Sequence, residues 1–170
     1  MTSLATIDDE VFQQTATHAV QSVFNTMLRQ SPQPVPITEP RSTGVVKCNQ
    51  VHVIGTAGLV GTINGMIYLS LDLDFANRCA ARLLAMTSAE VDTAGEEIVN
   101  DVVGELTNMT LGAFKNQLCD RGFPCKLTIP TIIRGREFVV SPIKGATHRI
   151  YHYAVDGHIV VADILIGPAE

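Results

Sequence analysis

One stretch constrains this chain more than any other, the helical pattern that runs from Thr93 to about Leu118. Thr93-Ala94-Gly95-Glu96 has the spacing of a capping box, in which a Thr hydroxyl and a Glu carboxylate satisfy each other's backbone N–H groups. Asp120-Arg121-Gly122-Phe123-Pro124 then supplies the glycine and proline that stop a helix. At about 100° per residue, Ile98, Val102, Val103, Leu106, Met109, Ala113 and Phe114 form a stripe wide enough to face a core. The opposite face points outward, and it carries an unusual set of residues.

The flanking segments set the fold class. Ile7–Gln30 reads as an amphipathic helix, with Phe12, Ala16, Ala19, Val23 and Met27 at spacings of three or four and acidic residues at its positive end. Ser31–Ser42 carries Pro32, Pro34, Pro36 and Pro40 and predicts an extended connector. Val45–Ile54 and Leu59–Leu71 predict strands punctuated by Gly55, Gly58, Gly61 and Gly65. Phe75–Met86 predicts a short helix with Asp74 as its N-cap. After the long helix, Lys126–Ile133 and Glu137–Val140 read as sheet. A final hairpin joins Arg149–Val155 to His158–Ile166 through Asp156-Gly157, a type I′ turn signal. Helix, strands, short helix, long helix, strands is an α+β order, with helices packed on a mostly antiparallel sheet. With 170 residues, the simplest organisation is one domain spanning 1–170.

Composition narrows the function classes. The net charge of −5 and the lack of a Lys/Arg cluster argue against nucleic acid, and the absence of Trp argues against a base-stacking platform. No stretch approaches the roughly 20 apolar residues of a membrane span. The N-terminus has neither the basic nor the apolar region of a signal peptide, so the expected location is cytoplasmic. Cys48, Cys79, Cys119 and Cys125 contain no C-x-x-C pair and read as reduced thiols, with Cys119 and Cys125 flanking a turn.

Glu97, Asp101, Gly104, Glu105, Asn108, Gly112 and Lys115 fall within an arc of about 100° on the outward face of the long helix. Most such faces are merely solvated. Here, however, each glycine costs about 1 kcal/mol relative to Ala in a helix interior. Asn108 is also a poor helix former, because its side chain competes for backbone hydrogen bonds. Bare backbone bracketing Glu105 and Asn108 lets another macromolecule come close, which makes Asp101, Gly104 and Gly112 candidate partner-binding positions.

The run Asp101-Val102-Val103-Gly104-Glu105-Leu106-Thr107-Asn108 resembles the signature of the CheC/CheX/FliY phosphatases, D/S-x-x-x-E-x-x-N with a Pro some two dozen residues later. Pro130 stands in that place, slightly short of the usual spacing. Glu97-Ile98-Val99-Asn100 also fits E-x-x-N, without the rest of the pattern. The resemblance implies hydrolysis of the aspartyl phosphate of a CheY-like receiver. Asn108 would orient the attacking water, and Glu105 would dock on a receiver Lys. It implies no cofactor in this chain, Mg²⁺ coming from the receiver, and a chemotaxis or other two-component setting. Some members carry two sites. The N-terminal counterpart here has Ser22 where Glu would precede Asn25, so a single-site, CheX-like homodimer is expected. The alternative is a module of the same fold that docks a receiver or a flagellar-motor component without turnover.

Other constellations carry less. His148 and His152, at i and i+4 of a strand, lie roughly 13 Å apart, too far to share one ion with Asp163. No metal site is expected. His18, His52 and His158 read as surface or packed histidines. No Walker A, G-x-S-x-G or H-E-x-x-H motif occurs.

Overall fold

The computed structural model describes residues 7–36, 45–142 and 144–167, and of 45–49 the backbone. Helix α1 (Asp9–Leu28) starts where Asp8 accepts a hydrogen bond from the Glu10 N–H at 2.8 Å and stops at Arg29 in the left-handed region. Its Phe12, Ala16, Ala19, Val20 and Val23 are buried, the face its periodicity predicts. In the proline-rich connector, Gln33–Val35 forms a short strand, β1, and the rest of the connector beyond residue 36 lies outside the described residues.

Strands β2 (Val45–Gly61) and β3 (Gly65–Asp72) are joined at Thr62–Asn64. The break expected near Gly55 and Gly58 does not occur, because both glycines sit inside β2 and serve packing instead. Helix α2 (Leu73–Leu83) begins two residues earlier than its sequence suggests. Asp72 is its N-cap and accepts from the Phe75 N–H at 2.9 Å, while Asp74 lies in the first turn and pairs with Arg78.

The capping box lies elsewhere than expected. It joins Thr87 and Glu90 at the head of a short helix, α3 (Ser88–Ala94), which periodicity did not reveal because only Val91 is buried. The Thr87 bonds hold the Glu90 carboxyl below its ordinary pKa. The long helix, α4 (Glu96–Asp120), starts after Gly95, at φ 90, with no side-chain cap. It ends at Arg121 and Gly122, as expected.

Strands β4 (Cys125–Leu127), β5 (Thr131–Val139), β6 (Thr147–Val155) and β7 (His158–Ile166) complete the sheet. Among the described residues the sheet has seven strands in the order β1-β6-β7-β3-β2-β4, with β5 also on β2, and every pairing is antiparallel. Asp156 (φ 51) and Gly157 (φ 78) take the two positive φ values that a type I′ hairpin requires.

Helices α1, α2 and α4 pack on one another and on one face of this sheet, around one apolar cluster that includes Phe24, Phe75, Leu69, Leu106 and Tyr153. The architecture is therefore two-layered α+β, with α4 lying over β2.

Candidate functional site

Contact with β2 sets the height and rotation of α4. Thr107 is fully buried, and its hydroxyl donates to the Val103 carbonyl at 2.7 Å. A Cβ built on Gly55 would lie 1.8 Å from that hydroxyl oxygen, so the helix can rest there only on a bare strand backbone. The buried face is Val99, Val102, Val103, Leu106, Thr107, Thr110, Leu111, Phe114 and Leu118. It is rotated from the apolar stripe read in the sequence, since Ile98, Met109 and Ala113 are only partly buried and two threonines lie in the core. Packing overrode hydrophobicity here because Thr107 fits Gly55.

That rotation leaves the outward stripe where the sequence put it. Asp101, Glu105 and Asn108 are exposed, as is Glu97, and Gly104 and Gly112 are half-buried. Among the described residues, the side chains of Asp101, Glu105 and Asn108 make no hydrogen bond or ion pair. Glu105 and Asn108 are three residues apart and therefore neighbours on the helix surface.

The glycines of the stripe are not required by the fold. A Cβ on Gly112 would meet nothing within 4 Å, and one on Gly104 would make only an ordinary 3.9 Å contact with Ile132 Cδ1. Gly55 is the contrast, because its missing side chain is filled by Thr107. Alanine would fit at 104 and 112 and favour the helix, so the packing offers no reason for glycine at either place.

The two E-x-x-N copies differ in availability. Asn100 is engaged, its Oδ1 accepting from Arg134 Nε at 2.6 Å. The same guanidinium donates from Nη2 to the Glu96 carbonyl at 3.2 Å and pairs with the Glu96 carboxylate at 3.8 Å. Arg134 thus clamps the first turns of α4 to β5. Sequence reading missed this residue, because nothing local links β5 to a helix more than thirty residues earlier. Pro130 lies between β4 and β5, along the strand edge that borders α4.

The remaining polar groups build structure. His148 Nε2 lies 2.7 Å from Asp163 Oδ1 on the sheet face away from the helices. His158 stacks on Phe75 at 5.1 Å between ring centroids, with Nδ1 2.8 Å from Asp72 Oδ2 and Nε2 3.5 Å from Asp74. Asp72, Asp74 and His158 are close enough to hold a cation, but Asp72 caps α2 and His158 packs on the ring, so hairpin and helix already use them. Cys79, Cys119 and Cys125 are free thiols. Burial pushes Cys79 up to about 12 and Cys125 up to about 11, which keeps both protonated and poor nucleophiles. The side chain of Cys48 lies outside the described residues. Among the described residues, no helix is long and apolar enough to cross a membrane.

Solved structures share this fold across nearly the whole chain. A CheC-like superfamily protein from Shewanella sp. PV-4 superposes with a TM-score of 0.77 at 20% identity, covering 94% of this chain and 99% of its own. Chemotaxis protein CheX from Desulfovibrio desulfuricans gives 0.75 at 20% identity, covering 91% and 98%. A CheX–CheY–BeF₃–Mg²⁺ complex from Borrelia burgdorferi gives 0.67 at 24% identity, covering 95% and 99%. No curated protein sequence matches significantly. The family description "Chemotaxis phosphatase CheX" matches residues 53–153, a span that runs from the strand beneath α4, through α4 itself, to the last hairpin. With more than half its length matched, this chain belongs to the CheX family of chemotaxis phosphatases.

Proposed function

We propose that this protein hydrolyses the aspartyl phosphate of a CheY-like receiver, using Asn108 to orient the attacking water and Glu105 to dock on a receiver lysine. The observation that carries the reading is the state of the two E-x-x-N copies. Asn100 is tied to Arg134, whereas Asn108 stands exposed and unengaged beside Glu105. Gly104 and Gly112, which the fold does not require, leave the surface around that pair low.

The chemistry suits these residue types. Water attacks phosphorus as the P–O bond to the receiver carboxylate breaks. The carboxylate leaves with the bonding pair, and the water protons stay with the released phosphate and solvent. A carboxylate leaves without being protonated, so no general acid is required of this chain. The transition state is loose and its charge is spread over the phosphoryl oxygens, so positioning matters more than basicity. A neutral carboxamide can accept from a water and hold it in line without repelling those oxygens. Mg²⁺ belongs to the receiver in this scheme, and the Borrelia relative was solved as a CheX–CheY–BeF₃–Mg²⁺ complex. Asp101, one helical turn before Glu105, extends the acidic docking face.

Decay of a phosphorylated receiver, together with binding of the beryllofluoride-activated form, tests the reading. Asn108→Ala is expected to lower kcat about 100-fold, the scale of a lost positioning contact, with binding little changed. Glu105→Ala is expected to weaken binding about tenfold, the loss of one charged hydrogen bond. Wild type that binds the receiver but leaves phosphate loss at its spontaneous rate would make the protein a docking module.

A homodimer is part of the same proposal. Strand β1 covers β6 only at His152–Ala154, leaving Thr147–Tyr151 with an open edge among the described residues. Sedimentation at a mass of 18.3 kDa over all concentrations would remove the dimer from the proposal.

A further inference from the structure

We infer that Ile129 is an apolar anchor for the receiver, held at the border of the Glu105–Asn108 face by a β-bulge; the inference rests on the receiver-docking reading above. Leu59 stands opposite Leu127 and Thr56 opposite Thr131. Ala57 and Gly58 therefore face three residues, Thr128, Ile129 and Pro130, and one residue is extra. Such a bulge re-aims a side chain, and bulges concentrate beside functional sites.

The result is an isoleucine that is 90% exposed, far more than the other exposed large apolar residues among those described. It is not on a loose loop. The Gly58 N–H donates to Thr128 Oγ1 at 2.8 Å, and the Thr128 N–H donates to the Gly58 carbonyl at 2.9 Å. Pro130 restricts the backbone on the other side. A backbone already held in place loses little further entropy when a partner covers the side chain it carries.

The bulge lies level with the candidate site. Strand β4 begins beside the end of α4, where Cys119 Sγ is 3.6 Å from the Cys125 carbonyl. Farther along the same edge, Ile132 reaches the open side of Gly104. Cys119 back to Gly104 is roughly 22 Å of helix. Cys125 on to Ile132 is roughly 23 Å of strand. The two run side by side in opposite chain directions, so Ile129 falls level with about Thr110, between Asn108 and Gly112. On the helix surface Asn108 is only about 40° from Gly104, the residue that Ile132 approaches, and therefore lies on the flank nearest the bulge. A receiver seated on Asn108 would reach that border. The charged contact at Glu105 and an apolar contact at Ile129 would then grip it on two sides.

The test measures turnover of a phosphorylated CheY-like receiver, and binding of the same receiver activated with beryllofluoride and Mg²⁺, for wild type, Ile129→Ser and Val139→Ser. Val139 is 57% exposed at the far end of β5 and serves as the control. Ile129→Ser is expected to raise Kd and KM about tenfold, the effect of losing burial of part of one aliphatic side chain. Its kcat should stay within about twofold and its melting temperature unchanged, because so exposed a side chain contributes little to folding. Val139→Ser should behave as wild type. Wild-type affinity in Ile129→Ser, or equal weakening in Val139→Ser, overturns the anchor while leaving the phosphatase reading intact. A wild type that neither binds nor dephosphorylates the receiver overturns both.

Discussion

The role proposed for Asn108 rests on context that single residues supply. The amide would be ordinary on most helices, yet here its competitor, Asn100, is occupied by Arg134 and its neighbours are glycines that packing does not explain. Gly112 offers a clean separation of fold from docking. Nothing lies within 4 Å of a Cβ at this position, so Gly112→Ala should stabilise the protein by about 1 kcal/mol, the helix-propensity difference. If the bare backbone serves a partner, the same substitution weakens receiver binding. Urea unfolding combined with receiver titration reads both effects, and a variant that is more stable and binds equally well would show that the glycine has no docking role. The outward direction of Asp101, Glu105 and Asn108 could be read from one helix period. The engagement of Asn100 could not, because its partner lies on a strand far along the chain.

At the scale of elements, α4 owes its placement to a strand backbone and not to its own apolar stripe. The end of the helix was legible because Gly122 and Pro124 are local signals. Its start was not, because Thr87-x-x-Glu90 and Thr93-x-x-Glu96 present the same capping spacing and only contacts choose between them. Strand β2 (Val45–Gly61) shows the same local ambiguity. Gly55 looks like punctuation until Thr107 is placed on it. Gly55→Ala must push Thr107 and the middle of α4 outward, since the new Cβ would lie 2.6 Å from Thr107 Cβ as well as 1.8 Å from its hydroxyl. Overpacking of this kind costs about 1–3 kcal/mol. The variant should therefore unfold at lower urea and lose kcat through displacement of Asn108, though it touches no residue of the outward face. Wild-type stability and turnover would mean that α4 is not held at this height by Gly55.

The molecule as a whole separates scaffold from proposed contact surface. The α+β class followed from local patterns, whereas strand order and the bulge at Thr128–Pro130 depend on pairings between distant segments, which one sequence does not display. The outward stripe of α4 is also charged. The chain carries −5 overall, and the stripe around Asn108 presents Glu97, Asp101 and Glu105 to solvent, with Lys115 near its end. In the proposed docking, a receiver lysine approaching this face would meet attraction that acts across solvent and is screened by salt over about 10 Å at 0.1 M. Complementary surface charge governs encounter more than the chemical step. Raising the salt concentration should therefore slow association and raise KM while leaving kcat nearly constant. Glu105→Gln should flatten that dependence, because it removes the charge nearest the proposed docking lysine while keeping a side chain of the same size. Stopped-flow association measured across a salt series checks both, and identical slopes for wild type and variant would deny Glu105 its docking role whatever Asn108 does.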